Sequence, residues 1–110
     1  MSLNWEDFEK TDMRVGTILE AVMAEGLKKP AIRLLIDFGP LGIKPSSAQI
    51  TDHYTPDMLI GKQVIAVVNF PPKQIGKFIS ACLVLGAVND EGKVTLLQPE
   101  RPCDNGCRIA

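Results

Sequence analysis

Apolar residues along this chain fall mainly in short runs with the two-residue alternation of strands, cut at intervals by glycine and proline. Residues 13–24 are mostly β-branched and aliphatic, which predicts a long first strand. Gly16 inside it suggests a bulge or a sharp coil. Alternation sets Val15, Thr17 and Leu19 on one face and Arg14, Gly16, Ile18 and Glu20 on the other. A loop carrying Gly26, Lys28, Lys29 and Pro30 leads into a second strand over residues 31–38, stopped by Gly39 and Pro40. A third strand covers residues 42–50, with Pro45 placing part of it at an edge or a bulge. Residues 62–70 hold the unbroken run Val64-Ile65-Ala66-Val67-Val68, which suits a strand buried on both faces. After Pro71 and Pro72, residues 79–88 predict a fifth strand. Asn89-Asp90-Glu91-Gly92 then turns the chain into a short sixth at 93–98, and Pro99 and Pro102 make the tail irregular.

Two helical pieces interrupt this pattern. Residues 4–10 predict a short amino-terminal helix, with Asn4 as cap, acids in the first turn, and Trp5 and Phe8 on one face. A helix this short is marginal alone, so its aromatics need a packing surface on the barrel or on a partner chain. Residues 55–61 predict a single helical turn, capped by Thr55, with Pro56 at the first helical position and Gly61 as the stop. No repeat, low-complexity tract or linker divides the chain, so residues 1–110 are expected to form one domain. The expected class is all-β: a five-stranded OB-fold barrel with short flanking helices and an extra carboxy-terminal strand or tail.

Composition narrows the possibilities. With 45% apolar and 23% charged residues the chain is an ordinary globule, and no apolar run approaches the roughly 20 residues that would cross a bilayer, so no membrane insertion is expected. A domain this small has little core, which makes a homodimer a natural way to bury more apolar surface. Residues 1–9 are acidic and aromatic, unlike an export signal, and a cytoplasmic location is expected. Cys82, Cys103 and Cys107 are odd in number and have no repeated Cys-x-x-Cys unit, so neither a disulfide framework nor a zinc ribbon is expected. The net charge of -1 conceals a division: residues 26–80 carry seven bases and three acids, a net +4, whereas the flanks carry five bases and ten acids. A basic middle on a slightly acidic chain suits weak, salt-sensitive binding to a polyanion.

Catalysis finds no obvious centre. The one histidine, His53, lies in a polar turn beside Asp52, and neighbours in an extended segment point apart. Phosphate-cradling glycine motifs are absent, and no metal or cofactor is expected. More informative are residues 68–80, where a buried strand runs into a stiff Pro-Pro loop bearing Asn69, Phe70, Lys73, Lys77, Phe78 and Ser80. Such a loop at a barrel mouth offers cations to phosphates, stacking faces to bases and hydrogen bonds to sugars. The plainer alternative is that Phe70 and Phe78 plug the barrel end while the lysines face water.

The run Asp12-Met13-Arg14-Val15-Gly16-Thr17-Ile18 resembles the opening of the tRNA-binding domain family, found as free dimers and appended to aminoacyl-tRNA synthetases. Residues 30–39 are similar to that family's second strand, with Arg33 where lysine is usual. Residues 46–51, 59–72 and 83–86 resemble its export-chaperone branch, and the likeness extends from Phe8 to Ile109. The resemblance implies an OB-fold barrel, a homodimer, and binding of tRNA and of unfolded preproteins. Its groove would use Arg33, Asn69, Lys73 and Ser80. Where the family usually continues Ser-Glu, this chain has Ser80-Ala81-Cys82-Leu83, a more apolar wall that suits peptide.

Two functions are therefore expected of one non-catalytic barrel. As an export-related chaperone it would hold extended polypeptide against Phe38, Phe70, Pro72, Phe78 and Leu83. As a tRNA-binding module, acting in trans with a synthetase, it would use Lys28, Lys29, Arg33, Lys44, Asn69, Lys73, Lys77 and Ser80. Trp5 and Phe8 are the expected dimer interface, and a purely structural dimerisation module is the third possibility.

Overall fold

The computed structural model describes residues 1–110, in the order α1 (Trp5–Glu9), β1 (Met13–Met23), β2 (Ile32–Asp37), a 3-10 turn (Gly39–Leu41), β3 (Ile43–Ala48), α2 (Pro56–Leu59), β4 (Gln63–Val67), β5 (Lys73–Ile75), β6 (Phe78–Ser80), β7 (Leu83–Val84), β8 (Gly86–Val88) and β9 (Val94–Leu96). The main antiparallel sheet has the order β3-β2-β1-β4-β7. It curls until β3 meets the segment joining β6 to β7. There the Ala81 amide donates to the Pro45 carbonyl at 2.8 Å, and the Ser46 hydroxyl to the Cys82 carbonyl at 2.9 Å. The result is a nearly closed five-stranded barrel with two small helices outside it, the expected fold.

Strand β1 makes the curl possible by changing partners. Its residues 13–17 pair with β4 and its residues 17–23 with β2. A register shift between Ile18 and Glu20 marks the changeover, so the bulge lies at Leu19 and not at the expected Gly16. An extra residue there twists the strand from one partner towards the other. Gly16 has a different role. A Cβ on it would lie 2.6 Å from Ile36 Cγ2 and 2.7 Å from the Phe38 ring, so the absent side chain is space that the core fills.

Strand β2 alternates cleanly, with Ile32, Leu34 and Ile36 inside and Arg33, Leu35 and Asp37 outside. These inward residues join Ile18, Phe38, Leu59, Val64 and Ala66 in one core. Val15, on the opposite face of β1 from Gly16, is buried by the carboxy-terminal tail. The Val15 amide donates to the Cys107 carbonyl at 2.9 Å, and an antiparallel bridge joins Arg14 to Arg108 along the edge that β2 leaves free. The extra carboxy-terminal element is thus a short strand-like addition to β1.

Beyond β4 the chain departs from expectation. The Pro-Pro segment opens into a hairpin of β5 and β6, turned at Gly76, which has φ 60°. The expected fifth strand over residues 79–88 is three pieces, because the chain changes partner twice in that span. Residues of β6 bond to β5, β7 bonds to β4, and β8 bonds to β9. Helix α1 matches expectation, with the Asn4 side chain accepting the Asp7 amide at 2.8 Å. At α2, Thr55 precedes Pro56 as expected, but its hydroxyl donates to Asp57 at 2.7 Å and caps no backbone amide. Neither helix is long and apolar enough to cross a membrane.

Candidate functional site

Strand parity brings four polar residues into a row across four strands. Arg33 on β2 lies opposite Ser47 on β3. The Ser47 amide donates to Ser80 Oγ on β6 at 3.1 Å, and Ser80 lies opposite Lys73 on β5. On one side of Ser47 is a small notch lined by Arg33, Lys77 and Phe78, with the acidic Glu25 at its border. The Arg33 guanidinium carbon sits 5.1 Å from the Phe78 ring centroid, within the range of a cation–π contact. Its Nε is buried without a hydrogen-bond acceptor, and Arg33 takes part in no ion pair. Lys28 and Lys29 are exposed on the loop beside this notch, and the side chain of the adjacent Leu27 packs beside Gly76 in the β5–β6 turn.

On the other side of Ser47 is a larger apolar cleft of about 620 Å³. Phe70 and Pro71 form one wall, Leu83, Leu85, Val88 and Val94 another, and Lys73, Ser80 and Gln49 border it. Phe70 and Leu83 are each about half exposed, at 53% and 49%. The Pro-Pro corner therefore lies at the cleft. Ser47 and Ile75 line both notch and cleft, so the two adjoin on one face of the barrel.

Several expected site residues lie elsewhere. Phe38 is 0% exposed and belongs to the core, because the space left by Gly16 admits its ring; it is not a peptide contact. Phe78 lies under Arg33 and not in the apolar cleft, and it is Pro71, not Pro72, that faces the cleft. Lys44 lies opposite Ile36, on the inward-facing register of β3, and so leaves the face that carries Arg33 and Ser47. Asn69 is a clamp: its Oδ1 accepts the Asp12 amide at 3.1 Å and its Nδ2 donates to the Lys10 carbonyl at 2.7 Å, tying α1 to the end of β4. The Ser80 hydroxyl is also engaged, accepting from Ser47 and donating to the Cys82 carbonyl at 3.3 Å.

Ser47, Gln49, Leu85, Val88 and Val94 were not expected in the site. Only the β2–β3 register puts Ser47 beside Arg33, and only the folding back of β8 and β9 brings the two valines to the cleft, so no local signal marks them. The floor of the cleft includes Cys82, whose thiol is pushed up to about 11 by burial, against smaller opposing effects of the Ser46 hydrogen bond and the Lys44 charge. It is a packing residue, not a nucleophile. His53 and Asp52 are exposed on a turn away from the groove, and no three metal-ligating side chains gather anywhere in the fold.

Residues 13–108 match the model of the putative tRNA binding domain. The chain belongs to the tRNA-binding domain family. Solved CsaA structures resemble it along the whole chain. The chaperone CsaA of Bacillus anthracis is 52% identical with a TM-score of 0.95, and each chain covers 100% of the other. The CsaA chaperone protein of Picrophilus torridus is 51% identical with a TM-score of 0.91, over 99% of this chain and 100% of that one. The methionine–tRNA ligase of Parabacteroides distasonis is 33% identical over 98% of this chain, which spans only 16% of that enzyme. The blocks of the sequence that resemble the export-chaperone branch correspond to β3, β4 and the cleft wall at β7.

Proposed function

We propose that the chain is a non-catalytic, CsaA-like binding protein that takes unfolded preproteins for export into the apolar cleft and tRNA along the adjoining cations. The observation that supports this reading is a notch bordered by Arg33 and Lys77 that adjoins an apolar cleft at Ser47 and Ile75. Extended polypeptide needs volume and half-exposed apolar walls, which Phe70 and Leu83 supply. Phosphate needs unpaired cations, and Arg33 takes part in no ion pair. Such a protein works in the cytoplasm, where tRNA and newly made preproteins occur together. A homodimer would present two grooves. Trp5 is 82% exposed on a helix with no buried residue, and with Phe8 it is the proposed contact.

A gel shift with total tRNA, run beside suppression of aggregation of a denatured client, tests both ligands. Arg33→Ala and Lys73→Ala should each weaken tRNA binding and lower the salt slope by about 0.7 to 0.9 log unit for each phosphate no longer neutralised. Leu83→Asp should abolish client protection. A salt-independent tRNA affinity would remove the RNA half of the reading, and no protection at several-fold molar excess would remove the other. The second reading, a tRNA-binding module acting in trans with a synthetase, is favoured by the likeness to a segment of methionine–tRNA ligase. It requires tRNA binding with no client protection.

A further inference from the structure

Away from the groove, the carboxy-terminal turn brings together two cysteines that the ligand-binding reading does not use. Cys103 is fastened to β4 by Gln63, whose Oε1 accepts the Cys103 amide at 3.1 Å and whose Nε2 donates to the Cys103 carbonyl at 2.6 Å. Cys107 is fastened to β1 by its carbonyl, which accepts the Val15 amide at 2.9 Å. Between them the Cys107 amide donates to the Asp104 carbonyl at 3.1 Å. Gly106 makes the turn possible: it has φ 93°, and a Cβ there would stand 2.7 Å from the Phe38 carbonyl. Both backbones are thus held on the barrel at the two ends of one tight turn, and the Cys103 thiol lies near enough to Cys107 to be raised by it. Cys107 is exposed and Cys103 partly so, whereas Cys82 is buried.

We propose that Cys103 and Cys107 form a modification site, a dithiol that closes reversibly into an intrachain disulfide and locks the carboxy-terminal turn against β1. The oxidant is a small-molecule disulfide of the glutathione class. The exposed Cys107, as thiolate, attacks one sulfur of that disulfide; the oxidant's S–S bond breaks and its first thiolate leaves. Cys103 then loses its proton to solvent and attacks the Cys107 sulfur, forming the protein disulfide and expelling the second thiolate. The protein gives up two electrons and two protons, and the oxidant becomes two thiols. The Cys103 thiol is raised above its ordinary range by desolvation and by the neighbouring Cys107 and Asp104, which suits it to the second, resolving step. A strongly reducing glutathione pool keeps the pair open, and an oxidised one closes it.

The test is incubation of the full chain in a series of reduced-to-oxidised glutathione buffers, followed by acid quench, alkylation and peptide mass mapping. The expected result is loss of two of the three free thiols in one step, with a peptide linking residues 103 and 107 and Cys82 still free. Cys103→Ser should stop at a glutathione adduct on Cys107, and dithiothreitol should reverse both products. Amide exchange at Gly106 and Cys107 should slow in the oxidised wild type and stay unchanged in oxidised Cys103→Ser. A stable glutathione adduct on wild-type Cys107, or a disulfide between two chains, would overturn the assignment.

Discussion

Residues 13–68 and residues 69–110 are built differently although they share one barrel. The first part is held from within: its strands are long, its pairing extended, and its inward side chains form nearly the whole core. The second part consists of two-residue and three-residue strands, fastened by side chains that reach across the molecule. Gln63 holds Cys103, Thr17 donates to Asn105 at 2.7 Å, and the Tyr54 hydroxyl accepts the Leu96 amide at 3.0 Å. A packed wall can thus serve as a rigid floor, while a lightly strapped segment supplies the shape of a cleft. Phe70, Leu83, Val88 and Val94, which give the cleft its character, all come from the second part.

Substitutions put that contrast at risk. The largest expected effect is from Phe38→Ala, which empties the centre of the first part and should cost about 3–5 kcal/mol of unfolding free energy by denaturant titration. Gln63→Ala should cost less, about 1–3 kcal/mol, because it leaves the Cys103 backbone groups without partners. Its signature is local: hydrogen exchange should quicken at Cys103 and across the tail while β2 and β3 stay protected. Tyr54→Phe does not remove the ring's packing, only the acceptor for Leu96, so about 0.5–1.5 kcal/mol is expected, with exchange quickened at β9 alone.

A pH titration probes the place where the two parts meet. Cys82 is raised from its ordinary 9.0 to about 11 because burial disfavours the thiolate. The unfolded chain therefore releases this proton before the folded one does. The contribution to stability is fully present below pH 9.0 and is lost progressively as pH rises through about 11. Denaturation midpoints measured across that window should fall more steeply in the wild type than in Cys82→Ala. Equal slopes would mean that the thiol is not shielded in the folded state.

The first part was legible in the sequence because local pattern and final environment agree there. Residues 32–37 alternate in sequence and alternate in burial, and the run from Val64 reads as buried and is buried at all but Ile65. The tight turns were also legible, since Asn89 accepts the Glu91 and Lys93 amides and Gly92 has φ 81°, as an Asn-to-Gly turn requires. The site was only half legible. Arg33, Lys73, Lys77, Phe70 and Leu83 line the notch or the cleft, whereas Phe38 and Asn69 are spent on core and clamp.

Local pattern alone established the β class, the placement of the first four strands and the cap of the first helix, and the family likeness is written in long ordered blocks. Long-range packing set the bulge at Leu19, the division of residues 79–88 into three strands, the tail along β1, and the meeting of Arg33 with Ser47 and Ser80. The reason is physical. Alternation and turn chemistry act between residues a few positions apart, whereas register, closure and the contents of a cleft depend on contacts between segments that the chain separates by tens of residues.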